Sequence, residues 1–185
     1  MDKKMYSQPL SLRSVQVSDA FWKQEMELVR KEVIPYQWEA LNDRVEGAAP
    51  SYAMRNFRVA AKKNQERREL GAAFQGFETL SEELDSLEDR FYGCVFQDSD
   101  FSKWIEAVGY SLNQHPDPEL ERIADGAIDL VCAAQQEDGY LDTYYIINGK
   151  NKIFTNLRDH HELYCMGHLI EGAVAYYEAT GKDKL

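Results

Sequence analysis

This chain has little cysteine, histidine or proline: 3 Cys, 4 His and 5 Pro among 185 residues. Cys94, Cys132 and Cys165 are far apart, odd in number and in no CxxC or comparable metal spacing, which excludes a disulfide framework and a local zinc knuckle. In a reducing compartment each reads as a small packing residue rather than a ligand or nucleophile. No apolar run is long enough to cross a bilayer, and no apolar stretch of leader type follows Met1-Asp2-Lys3-Lys4, so we expect a cytoplasmic chain with no membrane partner. Positive charge is also scarce. Against 32 Asp and Glu stand 21 Lys and Arg, a net charge of −11, which argues against nucleic acid as a partner because phosphate binding needs clustered cations. The basic run Lys62-Lys63…Arg67-Arg68 is interrupted by Glu66 and Glu69 and reads as a solvated helix face.

A hydrophobic content of 44% and an aromatic content of 12% are globular values, sufficient for one ordinary core. Residues 8–17 alternate apolar and polar (Leu10, Leu12, Val15, Val17), the period of one short strand. From Ser18-Asp19, a good cap pair, the pattern turns helical. Helices are expected over roughly 19–33, 36–43, 51–63 and 68–90, the last broken near Gly76. Others open at Asp98-Ser99-Asp100 and at Pro116-Asp117-Pro118, the latter ending near Gly139. A last helix spans about 160–180 and is closed by Gly181. Helix pairs on short loops without a fixed-period repeat indicate an all-α architecture, a bundle or toroid more than a regular solenoid.

Three clusters carry candidate chemistry. His160-His161-Glu162 through His168 puts imidazoles, a carboxylate and a thiol at a helix mouth, with His161, Cys165 and His168 spaced to share one stripe. His161-Glu162 lacks the second His of HExxH, because that position is Cys165. Three ligands from one helix also suit tetrahedral zinc poorly, so no metal site is assigned. Cys165 and a hydrogen-bonded His168 read as packing, while His161 is balanced between ligand contact and structure. Phe96-Gln97-Asp98-Ser99-Asp100 could be an acid/base pair, but as a helix opening it reads first as a cap. Asp138-Gly139-Tyr140-Leu141-Asp142-Thr143-Tyr144-Tyr145 follows a helix. Its tyrosines suit either stacking on sugar faces or burial.

Together, several segments resemble the non-reducing-end β-L-arabinofuranosidases of glycoside hydrolase family 127. They are Ile34-Pro35-Tyr36-Gln37-Trp38, Val95–Asp100 with Lys103-Trp104-Ile105-Glu106, His115–Leu120, Gln135…Asp138–Thr143, His161–Tyr164…Gly167–Glu171, and Ala175-Tyr176-Tyr177…Thr180-Gly181. The likeness runs in order from about Val17 to the end, with the charged stretch 62–92 resembling a local insertion. It implies a strand segment at 1–17 that pairs with a β-sandwich encoded downstream, and at 18–185 the N-terminal part of an (α/α)6 toroid.

The resemblance also implies a retaining hydrolase that releases L-arabinose from β-L-arabinofuranoside oligosaccharides. Its nucleophile would be a zinc-bound cysteine, with a glutamate as acid/base and Zn2+ held by one Glu and three Cys. All of these belong to the later half of the toroid, so no catalytic residue or zinc ligand is assigned here, and the 185 residues alone are expected to be inactive. Of the sugar-contacting residues, His161 maps onto the family; Phe96, Asp98, Tyr140 and Asp142 are assigned to shaping the pocket. A homodimer is compatible with this reading. The rivals are an inactive sugar-binding or interaction domain and another α/α-toroid carbohydrate enzyme.

Overall fold

The computed structural model describes residues 10–69 and 89–185. Most of the expected helix over 68–90 and of the inserted stretch therefore lies outside the described residues, as do residues 8 and 9. Seven α-helices are described: α1 (Ala20–Leu28), α2 (Ile34–Leu41), α3 (Ala53–Glu69), α4 (Asp98–Gln114), α5 (Pro118–Ala134), α6 (Thr143–Asn148) and α7 (Glu162–Thr180).

Local chemistry explains most boundaries. Asp19 caps α1 by accepting from Trp22 N, and Asp117 caps α5 by accepting from Leu120 N, with Pro118 in its first turn. α1 and α2 are not separated by a loop. A π-turn at Val29–Val33 joins them ahead of Pro35, whose missing N–H and bulky ring disturb the i→i−4 ladder. Trp104 Nε1 donates to Ile34 O at 3.1 Å, and its ring stacks on Trp38 with centroids 4.5 Å apart, fixing α2 on α4. α7 ends on Gly181 at φ 77, the left-handed C-terminal stop that a glycine provides.

The strand expected over 8–17 does not form in its described part. Leu12–Ser14 is a 3-10 turn, and no strand lies beside it among the described residues. Its carbonyls are satisfied by a side chain instead: Gln114 Nε2 donates to Leu12 O and Val15 O at 3.0 and 3.3 Å, and Arg13 reaches Ala179 O. An extended segment without a partner leaves its backbone groups to such side chains or to water.

The helices form two layers, with α4 against α2 and α7, and α3 against α5 and α6. α4 and α7 run parallel at very close range. A Cβ on Gly109 would lie 2.6 Å from Ala175 C, and one on Gly172 would lie 2.7 Å from Ser102 O. The core between the layers holds Ile34, Phe57, Phe101, Trp104, Ile105, Val108, Ile128, Val131, Ile146 and Tyr176. Because α4 and α7 are parallel, their N-termini share one end of the molecule. The short helix α6 is held at that end by neighbours rather than by its own length.

Two of those neighbours come from the basic run, which is not wholly a solvated face. Lys63 is buried, with Nζ 3.5 Å from Ile147 O, and Arg67 donates to Ile146 O at 3.1 Å. Cations on the last carbonyls of a helix satisfy groups that would otherwise lack partners.

Candidate functional site

The site is built at the shared N-terminal end of α4 and α7. Asp98 opens α4 but does not cap it: Gln97 holds the cap position, and its amide donates to the Asp100 carboxylate rather than accepting from a first-turn N–H. The Asp98 carboxylate instead crosses to α6, accepting from Thr143 N at 2.7 Å and from Thr143 Oγ1. Asp142 is the true cap of α6, accepting from Tyr145 N at 3.2 Å. Its other oxygen, Oδ2, is buried without a hydrogen-bond partner among the described residues. Burial is the main force lifting the pKa of both carboxyls above the ordinary range. The Thr143 bonds hold Asp98 back, whereas the charges of Asp98 and Glu162 push Asp142 further up.

Glu162, the first residue of α7, is 3% exposed. It accepts from Phe154 N on both oxygens, at 3.1 and 3.0 Å, and from the Tyr140 hydroxyl at 2.7 Å. Burial first, then Asp142 and the Glu162 bond, raise the Tyr140 phenol well above its usual value. Phe154 itself is half exposed, adopts φ 57, and meets Tyr140 edge-on with centroids 5.6 Å apart. Between these groups lies an open cleft of about 470 Å³, lined by Gly139, Tyr140, Asp142, Phe154, Glu162 and Met166 among others.

His161 stands just outside α7 at φ 57, ψ 23, with its carbonyl accepting from Cys165 N at 2.9 Å. The left-handed backbone places His161 outside the helix that carries Cys165 and His168, and the Tyr164 ring meets both His161 and His168. The His161 ring packs edge-on to Phe96 and Tyr164, with centroids 5.4 and 5.8 Å apart. Lys103 Nζ sits 5.3 Å from the Tyr164 centroid. Neither His161 nitrogen is hydrogen-bonded among the described residues, so the half-buried ring keeps a donor and an acceptor available.

Cys165 is buried behind the site, and its thiol is pushed up to about 12 by burial, then by Asp98 and Asp142. It is a poor nucleophile there. His168 is half-buried rather than deep in the core. It lies against Tyr164 with Nδ1 3.1 Å from Glu171 Oε2, yet off the line of a hydrogen bond. Among the described residues no group of three or more His, Cys, Asp or Glu could hold a metal. Cys94 is exposed and alone, and Cys132 Sγ donates to Lys184 O at 3.4 Å. The described residues by themselves offer no ligand set for a zinc ion.

All five sequence-assigned residues therefore fall in one neighbourhood: Phe96 against His161, Asp98 and Asp142 at α6, and Tyr140 on Glu162. Of the other tyrosines, Tyr145 is buried with its hydroxyl 2.7 Å from His160 Nδ1, and Tyr144 packs between Phe91 and His160, so both are structural. Sequence reasoning did not assign Phe154 or Met166, which carry no motif, or Glu162, whose adjacency to His161 was the available signal. The cluster can hydrogen-bond and shelve a polyhydroxylated ligand. No nucleophile and base are paired within it.

Comparison with known proteins agrees with this geometry. The family model for the β-L-arabinofuranosidase GH127 catalytic domain matches residues 14–185. The chain is 39% identical over 175 residues to a non-reducing end β-L-arabinofuranosidase of Bifidobacterium longum subsp. longum, covering 92% of this chain and 25% of the relative. A crystal structure of a GH127 β-L-arabinofuranosidase from Geobacillus stearothermophilus T6 superposes with a TM-score of 0.76 at 53% identity, over 91% of this chain and 23% of that one. A second GH127 β-arabinofuranosidase superposes with a TM-score of 0.72 at 31% identity, over 95% and 24%. The chain thus spans about a quarter of the length of the relatives it matches. Within that quarter the helical layers are those of the N-terminal part of the α/α toroids, and the family match runs through every residue of the site, so the chain belongs to glycoside hydrolase family 127, the β-L-arabinofuranosidase catalytic-domain family.

Proposed function

We propose that this chain forms one wall of the substrate pocket of a cytoplasmic glycoside hydrolase that releases L-arabinose from non-reducing-end β-L-arabinofuranosides. The observation that carries the reading is His161: a half-buried imidazole at the α7 mouth, held by Phe96 and Tyr164, with both ring nitrogens unclaimed among the described residues. A neutral imidazole so held can donate to one sugar hydroxyl and accept from another. The aromatic rings beside it suit the apolar face of a furanose. The buried carboxyls of Asp98 and Asp142 sit behind this wall and set the position of α6 and the loop that carries Tyr140. The retaining chemistry, with a zinc-bound cysteine as nucleophile and a glutamate as acid/base, is assigned to residues other than those described.

The test uses the full-length protein that carries this chain. His161→Ala should lower kcat/KM on a β-L-arabinofuranoside at least about tenfold, roughly 1.4 kcal/mol of transition-state binding, with zinc content and melting temperature nearly unchanged. Full activity in that variant would overturn the assignment.

A further inference from the structure

The basic run on α3 does more than support α6. Around Arg67 a small recess is enclosed by Asn64 and Arg67 of α3, Gln136 and Glu137 after α5, and Lys150 beyond α6. We propose that this recess binds one monatomic anion, a halide such as chloride, on the Arg67 guanidinium, and that the ion ties α3 to the loop after α5 and to the segment after α6. The recess shares no lining residue with the His161 wall, and its ligand is independent of the function proposed above.

An orphaned donor points to the ligand. Arg67 Nη2 donates to Ile146 O at 3.1 Å, but Nη1 is buried with no hydrogen-bond partner among the described residues. A guanidinium does not shed its charge, so a buried N–H of this kind costs free energy until an acceptor reaches it. Burial is also the main force lowering the Arg67 pKa. The polar groups around it are held in place by one another. Asn64 Nδ2 donates to Ala134 O at 2.7 Å, Gln136 Nε2 donates to Asn64 Oδ1 at 2.6 Å, and Lys150 Nζ donates to Gln136 Oε1. Asn64, Gln136 and Lys150 are all buried, so the recess is built rather than a gap between surface side chains.

Charge sets the sign of the ligand. The lining carries Arg67, Arg68 and Lys150 against the carboxylate of Glu137. Glu137 is exposed, where water and salt screen it, whereas Lys150 and Arg67 Nη1 are buried. Burial, then the Arg67 charge, lowers the Lys150 pKa to about 8. Such a place repels a cation and attracts an anion. Size then selects among anions. The recess holds about 30 Å³, close to the share of one water in the liquid and far below the roughly 300 Å³ at which small-molecule sites begin. A halide fits, whereas a phosphate or a sugar ring does not. A water would give Nη1 an acceptor but would do nothing for the charge.

The experiment melts the full-length protein that carries this chain in sodium chloride, sodium bromide and sodium gluconate at matched ionic strength. All three salts screen charge alike, and gluconate is too large for the recess. Halide should raise Tm over gluconate by at least about 2 °C, levelling off by about 0.2 M as the site fills. Arg67→Gln also loses the bond to Ile146 O, so it should melt lower in every salt, but its halide increment over gluconate should vanish. A second readout needs no variant: in wild-type crystals grown in bromide, anomalous scattering should place a bromide ion within hydrogen-bonding reach of Arg67 Nη1. The site is overturned by a wild-type protein with no halide increment, or by equal increments in wild type and Arg67→Gln. A bromide-grown crystal with a water, or nothing, at Nη1 overturns it as well.

Discussion

Asp142 concentrates most of the site's electrostatics in one side chain. It is almost fully buried, caps α6, and has the carboxyls of Asp98 and Glu162 around it. Burial and that repulsion raise its pKa above the unfolded value of roughly 3.9. The folded chain therefore holds the Asp142 proton more tightly than the unfolded chain does. The stabilisation this brings is complete below the unfolded pKa and is lost as pH rises through the folded one. Asn caps a helix about as well as Asp and carries no charge. We expect the melting temperature of wild type to fall relative to Asp142→Asn as pH rises from about 4 toward neutrality. Parallel pH profiles for the two proteins would show that folding does not raise the Asp142 pKa. His168 calls for a different expectation from His161. It is half-buried and lies on Tyr164 without a hydrogen bond at Nδ1, so His168→Ala should cost about 1 kcal/mol of stability and leave kcat/KM within about twofold. A tenfold loss of activity without unfolding would reverse the roles of the two histidines.

At the scale of elements, the parallel pair α4 and α7 depends on two glycines that give no sequence signal of their own. A methyl on Gly172 would meet Ser102 O at 2.7 Å, backbone that cannot move aside, whereas a Cβ on Gly167 in the same helix meets nothing within 4 Å. Gly172→Ala should therefore destabilise by at least about 2 kcal/mol through overpacking, a fall of roughly 5–8 °C in Tm for a domain of this size. Gly167→Ala should be neutral or stabilising by up to about 1 kcal/mol. Equal melting temperatures for the two variants would mean that the helices separate without cost. The long helices were legible because their caps and apolar spacing are local: Asp19, Asp117 with Pro118, and Gly181 each mark an end. α6 was not legible. Six residues with the run Tyr144-Tyr145-Ile146-Ile147 show no helical period, and beyond the Asp142 cap what holds them as a helix comes from distant chain: Asp98 at its start, Lys63 and Arg67 at its end. The same non-local contacts explain why Asp98 resembled an ordinary cap and the basic run a solvated face. His161 was legible as a helix-opening residue, but its left-handed backbone, which places it outside the helix that carries Cys165 and His168, was not.

At the scale of the molecule, α7 has two faces with opposite fates. Cys165, Gly172, Ala175, Tyr176 and Ala179 are buried, mostly against α4, while Leu163, Met166, Ile170, Val174 and Tyr177 are each about half exposed. The second set is spaced by three and four residues and so forms a continuous apolar stripe along the helix. Exposed apolar area of this kind promotes association, and the net charge of −11 opposes it through repulsion. Burial of large side chains, each contributing about 1.5–3 kcal/mol, should prevail over repulsion screened beyond about 8 Å at physiological salt. The 185-residue chain expressed by itself should therefore give a helical circular dichroism spectrum yet associate with rising concentration in sedimentation velocity. Replacing Ile170 and Val174 by lysine separates the two forces. It brings the net charge closer to zero, which would worsen association if charge governed it, and it breaks the stripe, which should return the chain toward monomer. A wild-type chain that stays monomeric at high concentration and melts in one sharp transition would show that the stripe is compatible with a self-sufficient fold.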